Sequence, residues 1–105
     1  MRVRGNLKGQ VVRLGARLDA GTSSGERARL HEAVASGAGD LILDLSELEV
    51  IDATGLGVLV GTHRMARDAG RRVVLRAVPP RIMRILAVTR LNRVLHVEAQ
   101  TAAVA

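Results

Sequence analysis

The segment Leu41-Ile-Leu-Asp-Leu45 constrains this chain more than any other. A short, strongly apolar run that gives way to polar Ser46 reads as a strand in the interior of a sheet rather than at its edge. Helical patterns stand on both sides of it. Upstream, Ser23 followed three residues later by Glu26 fits a capping box. Leu30, Ala33 and Val34 then recur at helical spacing until Gly37 supplies a stop, which predicts a helix over residues 24–36. Downstream, Ser46 to Asp52 reads as a connecting segment that still carries Leu48, Val50 and Ile51. From Thr54 to Ala69 the residues Leu56, Leu59, Val60, His63 and Ala66 fall along one helical stripe. Arg64, Arg67 and Asp68 are turned away from it, and Gly70 closes the helix.

The remaining elements follow the same logic. Val3 to Gly9 and Val11 to Leu18 alternate loosely about Gly9-Gln10, which predicts two short antiparallel strands. Arg72 to Val78 reads as a strand halted by Pro79-Pro80, and Pro80 suits the first turn of a helix carrying Ile82, Ile85, Leu86 and Thr89. Val94 to Glu98 reads as a last strand. The tail from Ala99 to Ala105 is too short to hold a helix without docking. Strands followed by strand–helix alternation imply an α/β fold: one mixed sheet of four to five strands, packed with three to four helices, in a single domain over residues 1–105.

Composition narrows the chemistry. The 105 residues contain no Phe, Tyr, Trp or Cys, so the core must be aliphatic. Base stacking on aromatic platforms, disulfides, thiolate metal sites and cysteine nucleophiles are all excluded. No apolar run approaches the ~20 residues of a membrane span and the N-terminus lacks a signal-peptide pattern, so a cytoplasmic protein without membrane insertion is expected. The net charge of +6 is unevenly placed. Residues 1–63 hold seven basic and eight acidic residues, a net of −1, and residues 64–105 hold nine Arg against Asp68 and Glu98, a net of +7. That Arg-rich part reads either as an anion- or partner-docking face or as a solvated exterior whose stems cover apolar area.

Few constellations carry chemistry. His31, His63 and His96 stand alone without metal-ligand spacing, and neither Glu47 nor Glu49 has an acid–base partner. Gly55-Leu-Gly57 and Gly61 form a Gly-rich stretch without the lysine of a phosphate loop. No cofactor, metal or catalytic role is expected. The step from strand-like segment into helix at Val50-Ile-Asp-Ala-Thr-Gly-Leu-Gly57 stands out. Either Asp52 or Thr54 can cap the first turn. Capping does not require Gly55 and Gly57, each costing about 1 kcal/mol inside a helix, and missing side chains let another surface approach. A hydroxyl at a helix N-terminus is also a favourable place for a phosphate.

The run Leu43-Asp-Leu-Ser-Glu-Leu-Glu-Val-Ile-Asp-Ala-Thr-Gly-Leu-Gly-Val-Leu-Val60 resembles the signature of STAS domains, in particular the bacterial anti-sigma factor antagonists: a D-L-S-like strand end, a spacer, then D-[SA]-[ST]-G-L-G opening a helix. The likeness extends from Val12-Arg-Leu-Gly-Ala-Arg-Leu-Asp19, through the strand at 72–78 and the Pro-Pro helix, to Thr89-Arg-Leu-Asn-Arg-Val-Leu95. The resemblance implies a partner switch rather than an enzyme. An anti-sigma factor with serine/threonine kinase activity phosphorylates the antagonist, a phosphatase restores it, and the unphosphorylated form holds the anti-sigma factor and frees the sigma factor for transcription. Carried over by position, Thr54 is the phosphoacceptor. Asp52 supports the loop and the partner contact, and Asp19 lies at the same edge. Ala53, Gly55, Leu56 and Gly57 complete the implied partner-binding set. Three features depart from the pattern: Ala53 where many members carry Ser, Ala16-Arg17 in place of a common Gly-Glu pair, and almost no C-terminal helix. The resemblance also admits a STAS subunit docked, without phosphorylation, on the ATPase of an ABC-type transport system. Nucleic-acid binding by the Arg surface is a more distant reading, and no direct nucleic-acid contact is expected.

Overall fold

The computed structural model describes residues 9–99. Strand β3 (Leu41–Asp44) sits inside a four-stranded sheet, between β1 (Gln10–Arg13) and β5 (Val73–Arg76), with β6 (His96–Val97) outside β5. All ladders among the described residues are parallel. A separate pair joins β2 (Arg17–Leu18) to β4 (Val50–Ile51). Three helices connect the strands: α1 (Ser23–Ser36), α2 (Ala53–Asp68) and α3 (Pro80–Val88), and a single 3₁₀ turn spans Leu91–Arg93.

The interior placement of Leu41–Asp44 follows from its side chains. Leu41 and Leu43 lie on one face with Val73 and Leu75 in register beside them, and all four are buried. Against this face α1 sets Leu30, Ala33 and Val34, α2 sets Val58, Leu59 and Ala66, and α3 sets Ile82 and Leu86, one continuous aliphatic core. Each such Leu or Ile contributes about 1.5–3 kcal/mol by burial, which is how a domain without aromatic rings closes.

The α/β class, the four strands of the large sheet and the three helices match the expectation, but in place of one mixed sheet the described residues form an all-parallel sheet and a separate pair, and several local readings change. Val11 to Leu18 is not one strand: it breaks at Leu14–Ala16, and β1 and β2 enter different sheets. Val3 to Lys8, the bulk of the proposed antiparallel partner, and the tail beyond Ala99 lie outside the described residues. The supposed connector before Asp52 contains β4, with Glu49 N and Val50 N both donating to the Ala16 carbonyl at 2.8 and 3.0 Å. Two-residue strands leave no periodicity to read. The Ser23–Glu26 capping box does not form. Thr22 is the N-cap, Ser23 is the first helical residue with its hydroxyl directed to the Ala20 carbonyl, and Glu26 accepts from Arg29 instead. The buried face of α2 is also rotated, to Gly55, Val58, Leu59, Thr62 and Ala66, leaving Leu56, Val60 and His63 half-buried. Thr62 is tolerated inside because its hydroxyl donates to the Val58 carbonyl at 2.8 Å. In α3, Ile82 and Leu86 are buried while Thr89 is exposed beyond the last turn.

The C-terminal end of α2 organises the far side of the core. Gly70 takes φ +75, Gly70 N donates to the Arg67 carbonyl and Arg71 N to the Ala66 carbonyl, the paired bonds of a Schellman closure. This turn delivers Arg71 into the interior, 8% exposed. Its guanidinium donates to the carbonyls of Ala33, Val34, Ala38 and Gly39 and to Gln10 Oε1. No basic residue of α1 stands in its own last turn, so Arg71 supplies the cation for that helix end from across the chain.

Candidate functional site

The site is built by the small sheet. Leu18 and Ile51 are partners in the β2–β4 ladder, so the residues that follow them, Asp19 and Asp52, emerge side by side. Asp52 is the N-cap of α2. Its Oδ1 accepts from Gly55 N at 2.9 Å, and its Oδ2 accepts from Ala20 N at 3.1 Å. One carboxylate therefore both caps the helix and ties down the loop after β2. Of the two capping candidates, Asp52 does the work. Thr54 sits in the first turn, exposed, and its side chain forms no hydrogen bond among the described residues.

Asp19 is buried and held from three sides. Arg17 Nη2 donates to its Oδ2 at 2.5 Å, Gly21 N donates to its Oδ1 at 3.0 Å, and the Thr22 hydroxyl accepts from Asp19 N at 3.0 Å. Burial works to raise its carboxyl. The Arg17 hydrogen bond and charge, with the Gly21 and Thr22 N–H groups, outweigh that effect and hold it below the ordinary carboxylate range. The Ala16-Arg17 departure thus has a local consequence: Arg17 helps hold the Asp19 carboxyl below the ordinary range.

The implied partner set divides by exposure. Asp52, Ala53, Thr54 and Gly57 face solvent, Leu56 is half-buried against the core, and Gly55 is buried. A Cβ on Gly55 would collide with the Leu18 carbonyl oxygen and crowd Ile51, so the surface that approaches this glycine is the chain's own β2. Around Gly57 there is open space. Of the two glycines, only Gly57 is unexplained by the fold.

The Arg-rich part resolves into unlike groups. Arg71 is internal, Arg72 pairs with Asp40 at 2.8 Å, Arg76 pairs with Glu98 at 2.8 Å, and Arg81 donates to the Glu49 carbonyl. The side chains of Arg64, Arg67, Arg84, Arg90 and Arg93 have no hydrogen-bond or ion-pair partner among the described residues. The burial of Arg71 escaped the sequence reading; an arginine placed directly after the helix-closing Gly70 is the only signal for it. Two open cavities, of about 650 Å³ beside β6 and about 480 Å³ at the turn from β5 into α3, include none of the seven corner residues. Among the described residues no group of His, Asp or Glu is placed to hold a metal, and no helix is long and apolar enough to cross a membrane.

Known proteins resemble this chain in sequence and in fold. The chain is 29% identical over 90 residues to an anti-sigma-B factor antagonist of Bacillus subtilis, covering 86% of this chain and 82% of that one. It is 28% identical over 88 residues to an anti-sigma F factor antagonist of Paenibacillus polymyxa, covering 83% and 75%. Among solved structures, an anti-sigma-factor antagonist (STAS) domain protein of Planctomyces limnophilus superposes with a TM-score of 0.74 at 20% identity, covering 87% of this chain and 82% of that one. A sulfate transporter family protein of Wolinella succinogenes superposes with a TM-score of 0.71, also at 20% identity, covering 85% and 75%. The model of the STAS domain matches residues 1–104, and this chain, with its Asp-Ala-Thr-Gly-Leu-Gly corner at the head of α2, belongs to the STAS domain family.

Proposed function

We propose that the protein is a cytoplasmic anti-sigma factor antagonist, a binding protein rather than an enzyme, switched by phosphorylation of Thr54. The observation that carries the reading is the exposed, unbonded Thr54 hydroxyl two residues beyond an Asp52 that is already committed to two backbone N–H groups. Asp52, Ala53, Thr54 and Gly57 form the contact surface, with Asp19 bracing the adjoining loop. The partner is an anti-sigma factor with serine/threonine kinase activity, and a phosphatase reverses the mark. The names of the relatives support the antagonist role. The likeness to the sulfate transporter family protein is one of fold and gives the ABC-type docking alternative no separate support.

A phosphate on Thr54 adds about −1.5 to −2 charge beside Asp52, in a surface that must pack against the partner. A loss of about 3–4 kcal/mol through repulsion and desolvation moves binding by more than two orders of magnitude. Thr54 lies in the first turn, where the helix dipole favours the anion, so the mark weakens docking without unfolding α2.

Incubation with the cognate anti-sigma kinase and ATP, read by intact mass, tests the assignment. One phosphate is expected on the wild type and none on Thr54→Ala, which retains partner binding, while Thr54→Glu binds more weakly. A phosphate that persists in Thr54→Ala overturns it. Recovery of the unphosphorylated chain with a membrane transport ATPase instead of an anti-sigma factor overturns the antagonist role itself.

A further inference from the structure

The large sheet has a second face. Ladder register places Val11, Ile42, Val74 and His96 in one row across β1, β3, β5 and β6, pointing away from the row that contains Leu43 and Leu75. None of these four belongs to the core that α1, α2 and α3 share. Val11 is 54% exposed, whereas Val74, at the centre of the row, is 5% exposed. Charged rows flank the apolar one. On one side Asp40 pairs with Arg72, and on the other Arg13 pairs with Asp44 and Arg76 with Glu98. Among the described residues Arg13, Arg72 and Arg76 therefore meet Asp40, Asp44 and Glu98, with Glu47 also reaching Arg13, so these rows carry no excess of positive charge on a chain whose net charge is +6.

We propose that this outer face is a homodimer interface, with a second copy of the chain stacked on it sheet to sheet. The order of signs across the strands selects the arrangement. A two-fold axis parallel to the strands and midway between β3 and β5 lays β3 of one copy over β5 of the other and β1 over β6. Asp44 then meets Arg76, Asp40 meets Arg72, Arg13 meets Glu98, and Ile42 meets Val74. Every charged pair is opposite in sign, and the central ones remain near one another through the ~30° offset of aligned sheets. An axis in the sheet plane but perpendicular to the strands instead sets Asp44 over Asp40 and Arg76 over Arg72, like over like. The lack of excess positive charge in these rows also matters here, because two copies that each carry +6 repel through most other surfaces. Four strands at ~4.8 Å spacing and a five-residue length give a flat footprint of roughly 250 Å². A standard interface buries about 800 Å² per partner, so a dimer held by this face alone is a weak, transient one.

Sedimentation velocity on the full chain between 10 and 500 µM tests this. The wild type is expected to shift towards twice the monomer mass across that range. Asp40→Arg, which sets two cations against each other twice in the dimer, is expected to remain monomeric throughout. Asp40→Arg combined with Arg72→Asp restores opposite signs and is expected to recover self-association to within about threefold. Both side chains are exposed, so the fold survives each change, and a thermal melt of each variant verifies it. A wild type that stays monomeric at 500 µM overturns the proposal. So does self-association that Asp40→Arg leaves intact, self-association that the double variant fails to recover, or self-association that Arg84→Asp on α3 abolishes.

Discussion

At its C-terminal end α2 is closed by Gly70 and followed at once by Arg71, whose donors are taken up by the end of α1, the loop after it and Gln10. At its N-terminal end Asp52 caps the helix and holds Ala20, Gly55 lies against Leu18, and then Thr54 and Gly57 stand exposed without an internal partner. Both ends close a helix and tie it to a neighbouring loop. They differ in what is left over. At the C-terminal end the closing turn and the arginine that follows it are consumed by the fold, whereas at the N-terminal end two residues of the capping turn itself, Thr54 and Gly57, are left that the fold does not need. Function in this chain is sought where the internal bonding is complete and residues remain.

Substitutions at the two ends test that contrast. The largest effect is expected from Gly55→Ala: its Cβ meets backbone rather than a movable side chain, so urea melts should show a loss of about 3 kcal/mol or more. Arg71→Ala comes next, because it strands the last carbonyls of α1 in the interior; a loss of about 2–4 kcal/mol and faster amide exchange in α1 are expected. If Arg71→Ala changed partner affinity without changing stability, the contrast between the ends would be broken. Asp52→Ala removes one cap and one loop tether, and should cost about 1–2 kcal/mol in the melt. Gly57→Ala sharpens the picture in the other direction. With open space around it, the variant should gain up to about 1 kcal/mol of stability, and a simultaneous fall in partner binding would mark Gly57 as a contact surface.

The smallest effect concerns pH. Asp19 has a folded pKa below its unfolded value, so its contribution is fully present above the unfolded pKa of about 3.9 and fades as pH falls through the folded value. Arg17→Ala removes the chief opposing cation and lets burial raise the carboxyl. Stability measured from pH 7 down to pH 2.5 should then fall less steeply at the acid end than in the wild type, and a limb of unchanged slope would remove Arg17 from this role.

Much of this architecture is written in local patterns. Leu41–Leu45 is recognisable as a sheet strand because its run is apolar on both faces, and Pro80 opens a helix because its ring pre-sets the backbone there. The candidate corner was also visible, through Asp52 and the unusual glycines. What escaped reading depends on partners distant in sequence. β4 exists only because β2 lies beside it, Gly55 is forced by a carbonyl 37 positions earlier, and Arg71 is internal only because the end of α1 needs a cation. Ser23 shows the converse. It satisfies a local capping rule, yet Thr22 takes the N-cap because the Asp19 turn sets the chain's entry into α1.

The bonds of Arg71 also have an order in time. They join residues 32 to 61 positions apart, so each closes a long loop that must be drawn together before any of them is formed. In kinetic terms Arg71 acts as a late latch: its loss should leave refolding close to the wild-type rate and appear almost entirely as faster unfolding, so the lifetime of the native state rests on one arginine far from the corner where the switch is proposed.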